Sequence, residues 1–158
     1  MHKIVIANST PIIALLGVGA LDILKALYNI IIIPEAVRDE VSIKNAHILD
    51  DYSWIQIKAI SNTAVKEAFI SVLHDGEVEV MLLAKELNAD LVIIDDRLAR
   101  RHAKYMVLTT TGTIGILLRA KSEGVIDCLK PILDNLLRFG FYVSDETSRE
   151  VLRLANEL

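Results

Sequence analysis

The chain has a single cysteine, Cys128, among its 158 residues. No intrachain disulfide can form, and a zinc centre built on several cysteines is excluded. The four histidines, at positions 2, 47, 74 and 102, lack the spacing of a metal motif. An excess of basic charge is also missing. The formal net charge is −4, so a nucleic-acid partner would have to be met by a local basic patch rather than a global field. No apolar run is long enough to span a bilayer, which takes roughly 18–20 residues. The longest apolar region, Ile12 to Ile33, is interrupted by Asp22, Lys25 and Asn29 and closed by Pro34. The opening is a short strand-like unit with no small-residue cleavage site, so a signal peptide is not expected. A cytoplasmic protein with no membrane partner is therefore expected. No internal repeat or low-complexity tract appears, so residues 1–158 read as one domain.

What the sequence does hold is an alternation. Apolar β-branched runs at Lys3 to Ala7, Ile30 to Ile33, Trp54 to Ile60, Leu91 to Asp95 and Met106 to Thr109 read as strands. Helical patterns separate them. One opens at Thr10-Pro11, with Thr10 as N-cap, and others cover about 20–27, 34–41, 63–73, 76–88, 98–104, 113–124, 131–140 and 145–158. Residues 42–53 read as a loop and 110–113 as a turn. Strands alternating with helices predict a mainly parallel sheet covered on both faces, an α/β fold.

The most informative stretch is Leu91-Val92-Ile93-Ile94-Asp95-Asp96. Two adjacent carboxylates close a buried strand at the end where open parallel sheets bind their ligands. Neighbouring like charges are costly to bury unless a cation or proton neutralises them. Other polar groups fall at the same sheet edge. They are Asn8, Ser9 and Thr10 after the first strand, Glu35, Asp39 and Glu40 after the second, and Asp75, Glu77 and Glu79 at a later helix start. Oxygen ligands from separate elements suit Mg²⁺ or Mn²⁺. Val80, Met81 and Ala84 follow Glu77 along one helical stripe, which turns Glu77 inward. Glu79 shares its face with Leu82, Leu83 and Glu86, which places it nearer the rim. The plain alternative is that both glutamates only favour the helix N-terminus, worth about 0.3–1 kcal/mol each.

These motifs resemble those of the PIN-domain family. Ile4-Val5-Ile6-Ala7-Asn8-Ser9-Thr10-Pro11-Ile12-Ile13-Ala14-Leu15 is similar to the opening of PIN domains, a hydrophobic strand followed by Asp, any residue and Ser or Thr. Ile33-Pro34-Glu35-Ala36-Val37-Arg38-Asp39-Glu40-Val41 resembles the second motif, with its acid at Glu40. Asp75-Gly76-Glu77-Val78-Glu79 resembles the third, with its acid at Glu77, and Leu91 to Asp95 the fourth, with its acid at Asp95. Thr111-Gly112-Thr113-Ile114-Gly115-Ile116-Leu117-Leu118 is similar to a less characterised PIN-like branch. The resemblance implies a Rossmann-like three-layer α/β/α sandwich and a ribonuclease site using Mg²⁺ or Mn²⁺. It implies metal ligands Asn8, Glu40, Glu77 and Asp95, with Asp96 as a further acid. It also implies kinship with VapC-type toxins, which act on RNA and are held inactive by a small antitoxin. Asn8 stands where the family has its first acid. An amide oxygen can ligate a cation but carries no charge. The competing expectation is thus a catalytically weakened PIN fold that binds nucleic acid or protein.

Arg97, Arg100 and Arg101, with His102 and Lys104, form a basic cluster directly after the two aspartates. They are candidate phosphate contacts, together with Thr10 and with Thr113 at a helix start. A solvated helix face and an ordinary N-cap are the plain alternatives. Tyr52 and Trp54 offer rings for base stacking, although such a pair more often packs. Ser9 and Thr10 have no histidine placed to activate them, so a hydrolytic triad is not expected. A phosphatase-like use of Asp95 as nucleophile is disfavoured, because that chemistry usually draws on the first strand. Gly17-Val18-Gly19 follows a helix and is no dinucleotide fingerprint. A homodimer is expected.

Overall fold

A computed structural model describes residues 3–69 and 74–158. Strands β1 (Val5–Ala7), β2 (Ile31–Pro34), β3 (Ile55–Lys58), β4 (Leu91–Ile93) and β5 (Thr110–Thr111) form one sheet in the order β3-β2-β1-β4-β5. All four pairings are parallel. Among the described residues nine helices connect and follow them: α1 (Ser9–Gly17), α2 (Asp22–Tyr28), α3 (Glu35–Val41), α4 (Thr63–Phe69), α5 (Asp75–Glu86), α6 (Arg97–Tyr105), α7 (Thr113–Ser122), α8 (Lys130–Arg138) and α9 (Asp145–Leu154). The chain moves outward from β1 to β3 in one direction and from β4 to β5 in the other. Crossovers between parallel strands are right-handed, so the two directions put helices on opposite faces. The result is the α/β architecture that the alternating pattern predicts.

The isoleucine runs explain why the sheet is central. Ile6, Ile31, Ile33, Ile93 and Ile94 are fully buried. Burying each such side chain contributes about 1.5–3 kcal/mol. Strand β3 is buried only at Ile55 and exposed over its other residues, as suits an edge. No helix among the described residues is long and apolar enough to cross a membrane. The helix expected to run through Leu73 is described to Phe69, and the rest of that expectation lies outside the described residues.

Two boundaries differ from the sequence expectation, each for a local reason. Helix α1 starts at Ser9 with Asn8 in the cap position, not at Thr10. Pro11 still falls in the first turn, where its missing N–H costs nothing. The last strand is Thr110–Thr111, not Met106 to Thr109, so the expected turn at 110–113 is partly strand. The displacement begins at the end of α6. Leu108 N–H donates to Ala103 O at 2.9 Å and Val107 N–H to Lys104 O at 3.0 Å, a Schellman closure that puts Val107 at φ 59. Met106 to Leu108 therefore turns instead of extending.

Val107 is 87% exposed, so its side chain gains little from packing to offset a left-handed backbone. Val107→Gly is expected to raise stability by about 1 kcal/mol, read as a higher urea midpoint with an unchanged slope.

The C-terminal segment is fastened by one carboxylate. Glu157 accepts from Leu129 N at 2.7 Å, Lys130 N at 3.0 Å and Lys121 Nζ at 3.1 Å, capping the start of α8. The two backbone N–H groups, more than the lysine, hold its carboxyl below the usual carboxylate range. A depressed folded-state value stabilises above the unfolded value and is lost as pH falls through the folded one. The stabilisation from Glu157 is thus full near neutrality and fades below roughly pH 4.3. Glu157→Gln is expected to lower the melting temperature at neutral pH, and the gap to wild type should close in an acid series at and below pH 4.

Candidate metal centre

The strand order reverses between β1 and β4, and this is the crevice where doubly wound sheets bind ligands. Ala7 and Ile93 are register partners, so Asn8 and the Asp95-Asp96 pair leave the sheet side by side. Asn8 N–H donates to Ile93 O at 2.9 Å, which fixes the exit of β1. The Asn8 side chain is only 4% exposed, and its Oδ1 has no hydrogen-bond partner. A buried, unsatisfied carbonyl oxygen is costly and uncommon.

Three carboxylates face this crevice. Glu40, at the end of α3, accepts from Ser9 Oγ at 2.6 Å. Its Oε1 lies so close to Gly76 in α5 that a Cβ there would stand 2.1 Å away. Glu77, in the first turn of α5, is 8% exposed. Its carboxyl is pushed above the ordinary range, first by burial, then by the charge of Asp96 and, more weakly, of Glu40. The charge and backbone N–H of His74 pull the other way. Asp96 caps α6 by accepting from Ala99 N at 2.9 Å through Oδ2. That leaves its other oxygen for the crevice. Among the described residues no lysine or arginine pairs with Glu40, Glu77 or Asp96.

Asp95 is used differently from its neighbour. Its Oδ1 accepts from Thr113 N and its Oδ2 from Thr113 Oγ1, both at 2.7 Å. Arg100 Nη2 stands 3.9 Å from Oδ1, and Arg100 Nε donates to Ile94 O at 2.8 Å. Asp95 therefore ties β4 to the start of α7. Gly112 precedes that helix because a Cβ there would meet Arg100 Nη2 at 2.2 Å and Asp95 Oδ1 at 2.6 Å. Thr113, expected as an N-cap open to an anion, is fully buried and follows the cap Gly112. Its donors are spent on Asp95, so it offers nothing to a phosphate. Glu79, expected near the rim, is also buried. It accepts from Ala36 N at 3.1 Å and Lys66 Nζ at 2.7 Å, because α3 and α4 cover that side of α5. A paired glutamate of this kind is structural.

Thr10 is exposed and lines, with Asp95, Asp96, Arg97 and Arg100, a cleft of about 870 Å³ beside the crevice. Arg101 is exposed on the same helix but does not line that cleft. Tyr52 and Trp54 pack on each other edge to face, with ring centres 6.0 Å apart. What the sequence did not signal is the far wall of the cleft. It is the connection from α8 to α9, including Phe141, Tyr142 and Ser144.

The donor chemistry fits a hard divalent ion: one orphaned amide oxygen and three carboxylates without a cation between them. As the side chains stand, no group of three acids, histidines or cysteines among the described residues closes to metal-holding range.

A five-stranded, all-parallel sheet covered by helices is an α/β fold of the kind a PIN domain has. A family model described as PIN domain matches residues 4–157, and the chain belongs to that family. PIN domains generally use divalent metals. The sequence matches no curated protein.

Proposed function

We propose that the protein is a metal-dependent endoribonuclease, the toxin of a toxin–antitoxin pair, working with Mg²⁺ or Mn²⁺. The observation that carries this reading is the uncompensated acidic crevice around the buried Glu77. Glu40, Glu77 and Asp96 would hold the ion, with Asn8 Oδ1 as a neutral fourth ligand. When bound, the ion would polarise the phosphodiester and lower the pKa of an attacking water. Ser9 orients Glu40, and Asp95 positions the wall formed by α7. Thr10, Arg97 and Arg100 steer the RNA backbone into the cleft. A small antitoxin would silence the site by covering it.

Asn8 favours a second reading. With an amide in place of the family's first acid the site has one negative charge fewer, and the fold would then bind RNA or protein without cutting. Cleavage of RNA with Mn²⁺, in wild type and in Asp96→Asn, separates the two. Cleavage lost in the variant supports the nuclease, and no metal-dependent cleavage in wild type sinks it. Asn8→Asp is expected to tighten Mn²⁺ binding about tenfold or more by calorimetry, since a carboxylate replaces a neutral dipole beside the ion. Unchanged affinity would place residue 8 outside the ligand set.

A further inference from the structure

Helix α3 meets α5 at two polar contacts, and only one of them lies in the crevice. The crevice contact is Glu40, whose Oε1 lies where a Cβ on Gly76 would stand 2.1 Å away. At the other end of α3, Glu79 Oε1 accepts from Ala36 N at 3.1 Å. Ala36 and Glu40 are about one turn apart on α3, as are Gly76 and Glu79 on α5. The two contacts therefore act as rungs that fix the slide and tilt of α3. The start of α3 has no side-chain cap of its own, because the cap position is Pro34, the last residue of β2. Ala36 N is one of the orphan donors of a helix start, and Glu79 supplies its acceptor from α5.

Glu79 can do this only while its charge is compensated. It is 8% exposed, and its second oxygen accepts from Lys66 Nζ of α4 at 2.7 Å. Lys66 also stands 3.6 Å from Asp75 Oδ1, and among the described residues it pairs with no acid of the crevice. An unpaired carboxylate at this depth would turn toward water and release Ala36. Residues 63–65, 67 and 68 of α4 are exposed, so Lys66 is what that stretch directs inward. We propose that Lys66 and Glu79 are positioning residues for the metal centre: they lock the first turn of α3 onto α5, and this lock keeps Glu40 in the crevice. This rests on the reading of Glu40 as a metal ligand and adds a control over that ligand from a helix outside the crevice.

The test is calorimetry with Mn²⁺ alone, below the melting temperature of every variant. Lys66→Met keeps the apolar stem and removes the ammonium, and Mn²⁺ affinity is expected to fall about fivefold or more. The sign is decisive, because deleting a positive charge near an acidic site would by itself strengthen cation binding. The start of α4 is held apart from Lys66, by Glu86 accepting from Ser61 N and Asn62 N, so α4 keeps that attachment in the variant. Adding Glu79→Gln to Lys66→Met returns the net charge to the wild-type value. It should restore the affinity, since an uncharged amide oxygen serves Ala36 N without a lysine. In a Glu40→Gln background Lys66→Met should cost nothing more, since its effect runs through Glu40. Unchanged or tighter binding in Lys66→Met, no rescue by Glu79→Gln, or an equal loss in the Glu40→Gln background would each overturn the proposal. Wild type that binds no Mn²⁺, or a Glu40→Gln protein that binds it as well as wild type, would instead remove the reading of Glu40 as a ligand, and the proposal with it.

Discussion

Exchanging the two adjacent aspartates is expected to give opposite outcomes. Asp95→Ala should cost about 3 kcal/mol or more of folding stability, because it strands a buried N–H and hydroxyl of Thr113 that now bond to a charged acceptor. Asp96→Asn should leave the melting temperature close to wild type, since asparagine caps a helix as well as aspartate does. Its amide still has an oxygen for Ala99 N. Under the nuclease reading, Asp96→Asn removes a charge that faces Glu77 and the ion, and kcat is expected to fall about 100-fold or more. Urea unfolding and RNA cleavage on the same samples check both halves. A stable, active Asp96→Asn protein would remove Asp96 from the ligand set. An Asp95→Ala protein as stable as wild type would show that α7 is anchored some other way.

The aspartate pair also shows how far the sequence could be read. Its position at the end of a buried strand was legible, because four apolar residues before two acids have few other homes. Which acid faces the crevice was not. That depends on where α6 begins, since the residue in the cap position turns its carboxylate back onto the helix while the preceding one swings toward α7. A shift of one residue would exchange the roles. The sheet and its parallel order were legible for the same reason as the core, in the isoleucine runs of β1, β2 and β4. Strand β5 was misplaced because Met106 to Leu108 is as apolar as a strand, and its left-handed turn at Val107 runs against the residue's own preference. Glu79 read as a rim residue because periodicity on α5 carries no information about α4, whose Lys66 reaches over to pair with it. The PIN-domain membership was legible in four motifs taken together. The substitution at Asn8 was equally plain, although its meaning depended on whether the amide was buried.

Gly76→Ala is expected to weaken metal binding far more than it weakens the fold. Alanine is the better helix former, by up to about 1 kcal/mol in a helix interior and less in the first turn, so α5 should be no weaker. The added Cβ cannot coexist with Glu40 Oε1 at 2.1 Å. That oxygen ends a flexible side chain, so the strain is relieved cheaply by rotating Glu40 out of the crevice. Leaving the crevice breaks its bond to Ser9 Oγ, an interaction at 2.6 Å that holds the carboxylate beside Glu77. Mn²⁺ affinity should drop about tenfold or more, in keeping with the loss of one anionic ligand, while folding stability falls by only about 1 kcal/mol, because the helix gain offsets part of the cost of leaving the buried Ser9 hydroxyl without its charged acceptor. Calorimetry and a melting curve on one preparation decide the matter. Unchanged Mn²⁺ binding in a folded Gly76→Ala protein would mean that Glu40 is a structural partner of Ser9 alone, and that the ion is held by Glu77 and its neighbours without help from α3.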